Sequence, residues 1–313
     1  MSEQPIQVFR FERRAALISL TVGMVLLVIK FIAYYLTGSS AIFSDALESI
    51  VNVLASVVAL YAIFLAHLPA DQDHPYGHGK IEFVAAGFEG GMIMLAAVAV
   101  AVQAIAQLFR NTAPEQINAG LVLIVVAMLV NALVGFYLVA SGKRHGSITL
   151  EADGKHLLAD AVTSAAALIA LTLVKFAHWP MADPIAALII AVYITLISIG
   201  LLRRSAAGLM DQQDMGDDHT IRTILDRHIA PAGREPHICS YHKLRHRHSG
   251  RYHWVDFHLV VPASLHIDQG HRIASNIEHE IELALGEGNA TAHVEPCVDA
   301  KCPKCAAHAP QSA

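Results

Sequence analysis

Two pairs of side chains, each four residues apart, stand in stretches otherwise apolar enough for lipid: Glu48 with Asn52, and His156 with Asp160. At that spacing on a helix, the members of a pair project from one face about a turn from each other. An ionisable group at membrane depth costs at least about 2.5–3.5 kcal/mol on insertion scales, so it turns to the bundle interior and takes a partner there. Two carboxylates, an imidazole and an amide oxygen, paired across two helices, make a four-donor cage for a divalent cation. Asp45 and Ser49 add polar groups to the first stretch, and Asp45 is a further candidate ligand. The competing reading is helix packing, with Asn52 and Asp45 holding helices together and His156 capping a span. For any one residue the two readings are level; two pairs in separate spans favour the cage.

Two more constellations carry metal-ligand chemistry. Asp71, His74 and His78 fall within eight residues of a connection ending at Lys80, a spacing that suits one metal held in a loop as well as a solvated polar loop. Thirteen of the 19 histidines follow Asp211. Among them His242, His258, His271 and His293 fall on different predicted elements, and Glu295, two beyond His293, shares its face on a strand. His246, His248 and His253 read as surface residues of a basic hairpin. Cys302-x-x-Cys305 with Cys297 has thiolate character, but no second CxxC completes a zinc-finger set, so 297–313 reads as a flexible Cys-containing tail.

These groups need elements to hold them. The chain has 313 residues, 54% hydrophobic and 16% charged, with mean hydropathy +0.46, which is too apolar for a soluble enzyme and excludes disorder. Four cysteines exclude a disulfide scaffold, and a net charge of −5 gives no reason to expect a nucleic-acid partner. Apolar runs of about 20 residues, the length that crosses a bilayer, are read at 15–36, 43–66, 83–109, 119–141, 157–177 and 184–202. Residues 1–14 resemble a signal-peptide n-region, but the following run is too long and lacks a cleavage site, so it stands as the first span. Six spans put both ends of the chain on one side. Arg10, Arg13, Arg14, Lys80, Lys143, Arg144, Arg203 and Arg204 fall on that side, which is therefore cytoplasmic, against Arg110 and Lys175 opposite and Lys30 within snorkelling reach.

After Arg204 the pattern shortens. An amphipathic helix is predicted at 217–229, strands at 238–244 and 252–261 around Ser249-Gly250, a second helix at 267–285 and a last strand at 290–294. This order, α-β-β-α-β, predicts a small α+β domain with helices on one sheet face. The domains are thus 1–210, a six-helix all-α transmembrane domain, 211–296, a cytoplasmic α+β metal-binding domain, and the tail.

In the order and spacing of Thr37-Gly38-Ser39, the acidic second span, Pro69-Ala70-Asp71 through Gly77-His78-Gly79-Lys80, His156-x-x-x-Asp160 and His293-Val294-Glu295-Pro296, the sequence resembles the cation diffusion facilitator family, in particular its bacterial zinc- and iron-efflux members. The resemblance implies a homodimeric antiporter whose cytoplasmic domain has ferredoxin-like, metallochaperone-like topology. It implies a transport site at Glu48, Asn52, His156 and Asp160, a loop site at Asp71, His74 and His78, and a cytoplasmic two-metal site at His242, His258, His271, His293 and Glu295. It also matches Lys80 and Asp211 to a salt bridge joining the two parts at the dimer interface. The second span departs from the family's usual pair, in which an acidic residue stands where Asn52 does, so the cage carries one negative charge fewer. Glu89, in the third span, matches no family role and reads as a packing partner rather than a proton relay.

The reading that follows is export of Zn2+, with Cd2+, Fe2+ or Co2+ as alternatives, across the inner (plasma) membrane in exchange for protons. His156 argues against magnesium and calcium, which prefer all-oxygen sites. Zinc would also act from the cytosol, binding the terminal histidines and tightening the dimer. Other readings are a membrane-anchored metal sensor and a metallohydrolase using the same His/carboxylate site. Neither HExxH nor GxSxG occurs, and an anchor needs no buried acidic cage.

Overall fold

The computed structural model describes residues 4–37, 40–110, 121–177, 181–229, 238–299 and 302. The connection expected at 111–114, the first three residues of that expected at 178–184, residues 38–39, Cys305, and the side chains of Asp45 and Glu48 lie outside the described residues. The chain divides into two units, Met1–Leu209 and Met210–Ala313.

The first unit contains six long helices: α1 (Gln4–Thr37), α2 (Ser40–Ala66), α3 (Ile81–Arg110), α4 (Leu121–His145), α5 (Ile148–Ala177) and α6 (Ala182–Leu209). Its exterior is apolar. Leu95, Val102, Leu133, Phe136, Ile189 and Leu196 are all exposed, a surface suited to hydrocarbon rather than water. Among the described residues four stretches are long and apolar enough to cross a membrane: Phe9–Ile32, Ile81–Ala106, Val125–His145 and Ala187–Leu209. Among the described residues of α2 the apolar stretch is Asn52–Ala66, and polar groups interrupt the start of α5. α5 starts nine residues before the predicted span. Ser147 holds its first turn, accepting from the Leu150 N–H (3.4 Å) and donating to Glu82 (3.0 Å), so Glu151 and Asp153 are helical and buried.

α1 packs on α2, α3 on α6, and α4 on α5, with α5 also touching α2, α3 and α6. Small residues let these backbones approach. A Cβ on Gly154 of α5 would lie 2.7 Å from the Val139 nitrogen and 2.8 Å from the Gly135 oxygen of α4, so only glycine fits there. Between α3 and α6, the Ser198 and Ser205 hydroxyls donate to the carbonyls of Gly90 (2.7 Å) and Phe83 (2.6 Å). Lys30, expected to reach the interface, is instead buried; with Ser49, Asn52, Ser56 and Asn131 it lines a cavity of about 10 Å³, room for about one water.

The second unit runs α7 (Met215–His228), β1 (Ser240–Ser249), β2 (Tyr252–Val261), α8 (Ile267–Leu285) and β3 (Gly288–Pro296). α7 begins two residues before its predicted start because the Asp214 carboxylate caps it, accepting from the N–H groups of Gly216 (2.7 Å) and Asp217 (3.3 Å). Strand order is β1-β2-β3, with β1 antiparallel and β3 parallel to β2; α8 makes the crossover that a parallel pair requires. The strand predicted at 238–244 extends to Ser249. Its histidines and arginines hide the alternation, but pairing with β2 through the Ser249-Gly250 turn extends it. A bulge between His242 and Arg245 puts Lys243 at φ 51°. The core joins Ile221 and Leu225 of α7, Phe257 and Leu259 of β2, and Ile273, Ile277 and Ile281 of α8.

Candidate metal sites

α2 and α5 bring three of the four predicted cage residues into contact. Asn52 Nδ2 donates to Asp160 Oδ2 at 2.6 Å, and Asn52 Oδ1 lies 2.9 Å from His156 Nε2. His156 Nε2 is itself 3.9 Å from Asp160 Oδ2, and the imidazole is 4% exposed. An imidazole, a carboxylate and an amide therefore share one spot inside the bundle. Two acidic residues give this spot a depth that spacing alone does not show. Glu89 of α3, fully buried, stands 3.8 Å from His156 Nδ1 on the far side of the ring from Asn52. Asp153 of α5, also buried, accepts from the Ser56 hydroxyl at 3.4 Å. Glu89, which the sequence reads as a packing partner, has this imidazole as a neighbour. Its position depends on how α3 meets α5, which no periodicity within α3 encodes.

In the connection between α2 and α3, Asp71 gathers both histidines. Its Oδ1 lies 3.2 Å from His74 Nδ1 and its Oδ2 3.4 Å from His78 Nε2, and the two rings are 4.4 Å apart. The His74 N–H also donates to Asp71 at 2.6 Å, which holds that carboxyl below the usual carboxylate range. A donor atom from each of the three lies within 4.8 Å of the others.

In the second unit, pairing opposes His242 to His258 and His258 to His293, one histidine on each strand. Glu295 completes the row, with carboxylate oxygens 3.2 Å from His242 Nε2, 2.7 Å from His258 Nδ1 and 3.8 Å from His293 Nε2. The hydrogen bond from His258 is the main reason that the Glu295 carboxyl sits below its ordinary range. His242, His258 and Glu295 offer donor atoms within 4.8 Å of one another. His271, exposed on α8, is not in that group. Asp211 bonds Arg247 at 3.3 Å within its own unit.

Two clusters differ from the sequence reading. His248 and His253, expected as surface residues, oppose each other across the hairpin and meet Asp217 at 2.9 and 3.2 Å; burial lowers the His253 pKa. Their position on either side of the Ser249-Gly250 turn was the available signal. Cys297 and Cys302, expected in a flexible tail, bring their thiols within 4.8 Å of Cys239.

A lipid-facing helical unit with an imidazole and carboxylates buried in its middle, followed by an α+β unit bearing donor clusters, defines a membrane protein that handles cations. Residues 16–210 match the family model described as the cation efflux transmembrane domain, and 225–297 match that described as the cation efflux protein, cytoplasmic domain. Among relatives, an uncharacterised transporter of Synechocystis is 32% identical, covering 93% of each chain. The cation-efflux pump FieF of Shewanella oneidensis is 29% identical over 89% of this chain and 92% of its own. The manganese efflux system protein MneP of Bacillus subtilis is 28% identical over 92% and 97%. The chain belongs to the cation diffusion facilitator family. It is a cation efflux transporter rather than an enzyme, which sets the metallohydrolase reading aside.

Proposed function

We propose that this transporter exports a divalent transition metal, zinc foremost, from the cytoplasm in exchange for protons, and that Glu48, Asn52, His156 and Asp160 hold the ion in transit. The observation that carries the reading is the contact of Asn52, His156 and Asp160 inside the bundle, with Glu89 on the other side of the imidazole. Metal ligands must be deprotonated, so protons and metal compete for one cage. In the metal-free geometry the Asn52 amide spans Asp160 and His156, and an incoming ion would replace those two hydrogen bonds with bonds to Asp160 Oδ2, His156 Nε2 and Asn52 Oδ1. An imidazole titrates near neutrality, so a more acidic outer face favours release. Glu89, 3.8 Å from Nδ1, is placed to exchange the ring's second proton.

Asp71, His74 and His78 would hold a second ion in the loop, and His242, His258, His271, His293 and Glu295 would bind cytosolic metal and tighten a homodimer. The proximity of their donor atoms supports the loop set and, for the second set, His242, His258 and Glu295. Lys80 and Asp211 would pair at the dimer interface. The membrane is the inner one, with both termini cytoplasmic, as the distribution of Lys and Arg suggests. Imidazole favours zinc, cadmium, iron or cobalt. The neutral oxygen of Asn52 and the likeness to MneP make manganese the second reading.

The test is flux into sealed proteoliposomes under an imposed pH gradient, with zinc, cadmium, iron, cobalt and manganese measured in parallel. Zinc flux should depend on the gradient and vanish in Asp160→Ala. Flux that survives the substitution removes the cage from the pathway, and flux indifferent to the gradient removes the protons.

A further inference from the structure

Three of the chain's four cysteines meet at one corner of the cytoplasmic sheet, although 58 residues separate the first from the second. Topology brings them there. Cys239 immediately precedes β1, which runs antiparallel to β2, so it lies beside the end of β2; its N–H donates to the Val260 carbonyl at 2.7 Å. β3 runs parallel to β2 and ends at the same edge, where the Cys297 N–H donates to the Val261 carbonyl at 2.8 Å. The Cys302 N–H donates to the Asp299 carbonyl at 3.0 Å. The three Sγ atoms lie within 4.8 Å of one another, Cys239 being buried and the other two half-buried.

We infer that Cys239, Cys297 and Cys302 form a trithiolate site for a thiophilic divalent ion, Zn2+ or Cd2+, separate from the histidine row. Sulfurs around zinc at about 2.3 Å stand roughly 3.8 Å apart along a tetrahedral edge, so a small contraction of the observed triangle completes three metal–sulfur bonds. Cys239 and Cys297 are held at the strand ends by their backbone hydrogen bonds, and Cys302 by its bond to Asp299. Each bond replaces an S–H, so up to three protons pass to solvent on binding, and a divalent ion with three thiolates leaves one net negative charge facing the half-exposed side. Among the described residues the site offers three sulfurs. A cytosolic location keeps such thiols reduced and available to metal. Soft sulfur donors select against manganese, magnesium and calcium, so this corner distinguishes thiophilic ions from others that the oxygen- and nitrogen-rich sites accept. The site does not depend on which ion is carried across the membrane.

The test uses the full-length protein in detergent, purified under a phosphine reductant and titrated with Cd2+. Sulfur-to-cadmium charge transfer gives an ultraviolet band that imidazole and carboxylate ligands do not produce. The wild type should develop this band to saturation at one ion per chain, and Zn2+ should displace it. Each of Cys239→Ser and Cys302→Ser should remove about a third or more of its intensity, in proportion to the sulfurs lost. His258→Ala should leave it intact. Absence of the band in the wild type overturns the proposal. So does full intensity in Cys302→Ser, a half-buried position where serine is tolerated even if Cys239→Ser fails to fold.

Discussion

Asn52 touches both His156 and Asp160, and Asn52→Asp is the sharpest perturbation of the proposed transport site. In the wild type the amide donates to Asp160 at 2.6 Å and accepts on its oxygen, 2.9 Å from His156. The substitution keeps an oxygen facing His156 but replaces the donor to Asp160 with a second carboxylate oxygen. Two like charges about 4 Å apart repel by about 4 kcal/mol at an effective dielectric of 20. The lost charge-assisted hydrogen bond adds about 1.5–3 kcal/mol. Without metal, then, the variant should be less stable than the wild type. A divalent cation between the carboxylates relieves the repulsion. If about half of it, roughly 2 kcal/mol, is expressed as binding, apparent zinc affinity rises about 30-fold. The assay pairs zinc flux in proteoliposomes, read as apparent KM, with thermal unfolding in detergent with and without zinc. The variant should show a lower KM, a lower metal-free unfolding temperature and a larger rise on adding zinc. An unchanged KM with unchanged metal-free stability would mean that Asn52 does not face Asp160 in the working protein and would refute the reasoning.

Glu89→Gln removes the charge beside His156 Nδ1 while keeping the side chain's shape, and zinc flux should fall by about tenfold, equivalent to losing an interaction of about 1.4 kcal/mol. Glu12→Gln, equally buried but paired with His67, should leave flux within about twofold, and equal losses in both variants would return Glu89 to packing. In the cytoplasmic unit, Asp214→Ala removes the α7 cap and should cost about 1 kcal/mol of stability in urea unfolding. The Gly216 N–H holds the Asp214 carboxyl below its usual range, so its contribution is fully present above about pH 3.9 and is lost as pH falls through the lower folded value. An acid limb identical in the wild type and Asp214→Ala would contradict that sign.

The sequence already carries much of this arrangement, because membrane helices and ligand pairs share a period. Apolar runs locate the helices, and the i,i+4 spacing of His156 and Asp160 puts both on the face that meets Asn52. What it does not carry is packing between helices. Glu89 and Asp153 look like stray acids until α3 and α2 are set against α5. The boundaries missed have local causes: the Ser147 hydroxyl starts α5 early, and the charged, histidine-rich β1 extends because β2 pairs with it. The cysteine corner is hidden because a parallel crossover through α8 is needed to bring 239 and 297 to one edge.

The row formed by His242, His258 and His293 takes one residue from each strand, so it exists only when all three are aligned. A one-residue slip of either outer strand would send its imidazole through to the opposite surface. β3 is the last strand to emerge and reaches its partner only after α8 has been made. A chain cut short before His293 could fold its hairpin yet would lack His293 and Glu295, two of the four donors. A metal ion held by this row would therefore double as proofreading, a signal that the sheet has been assembled through β3.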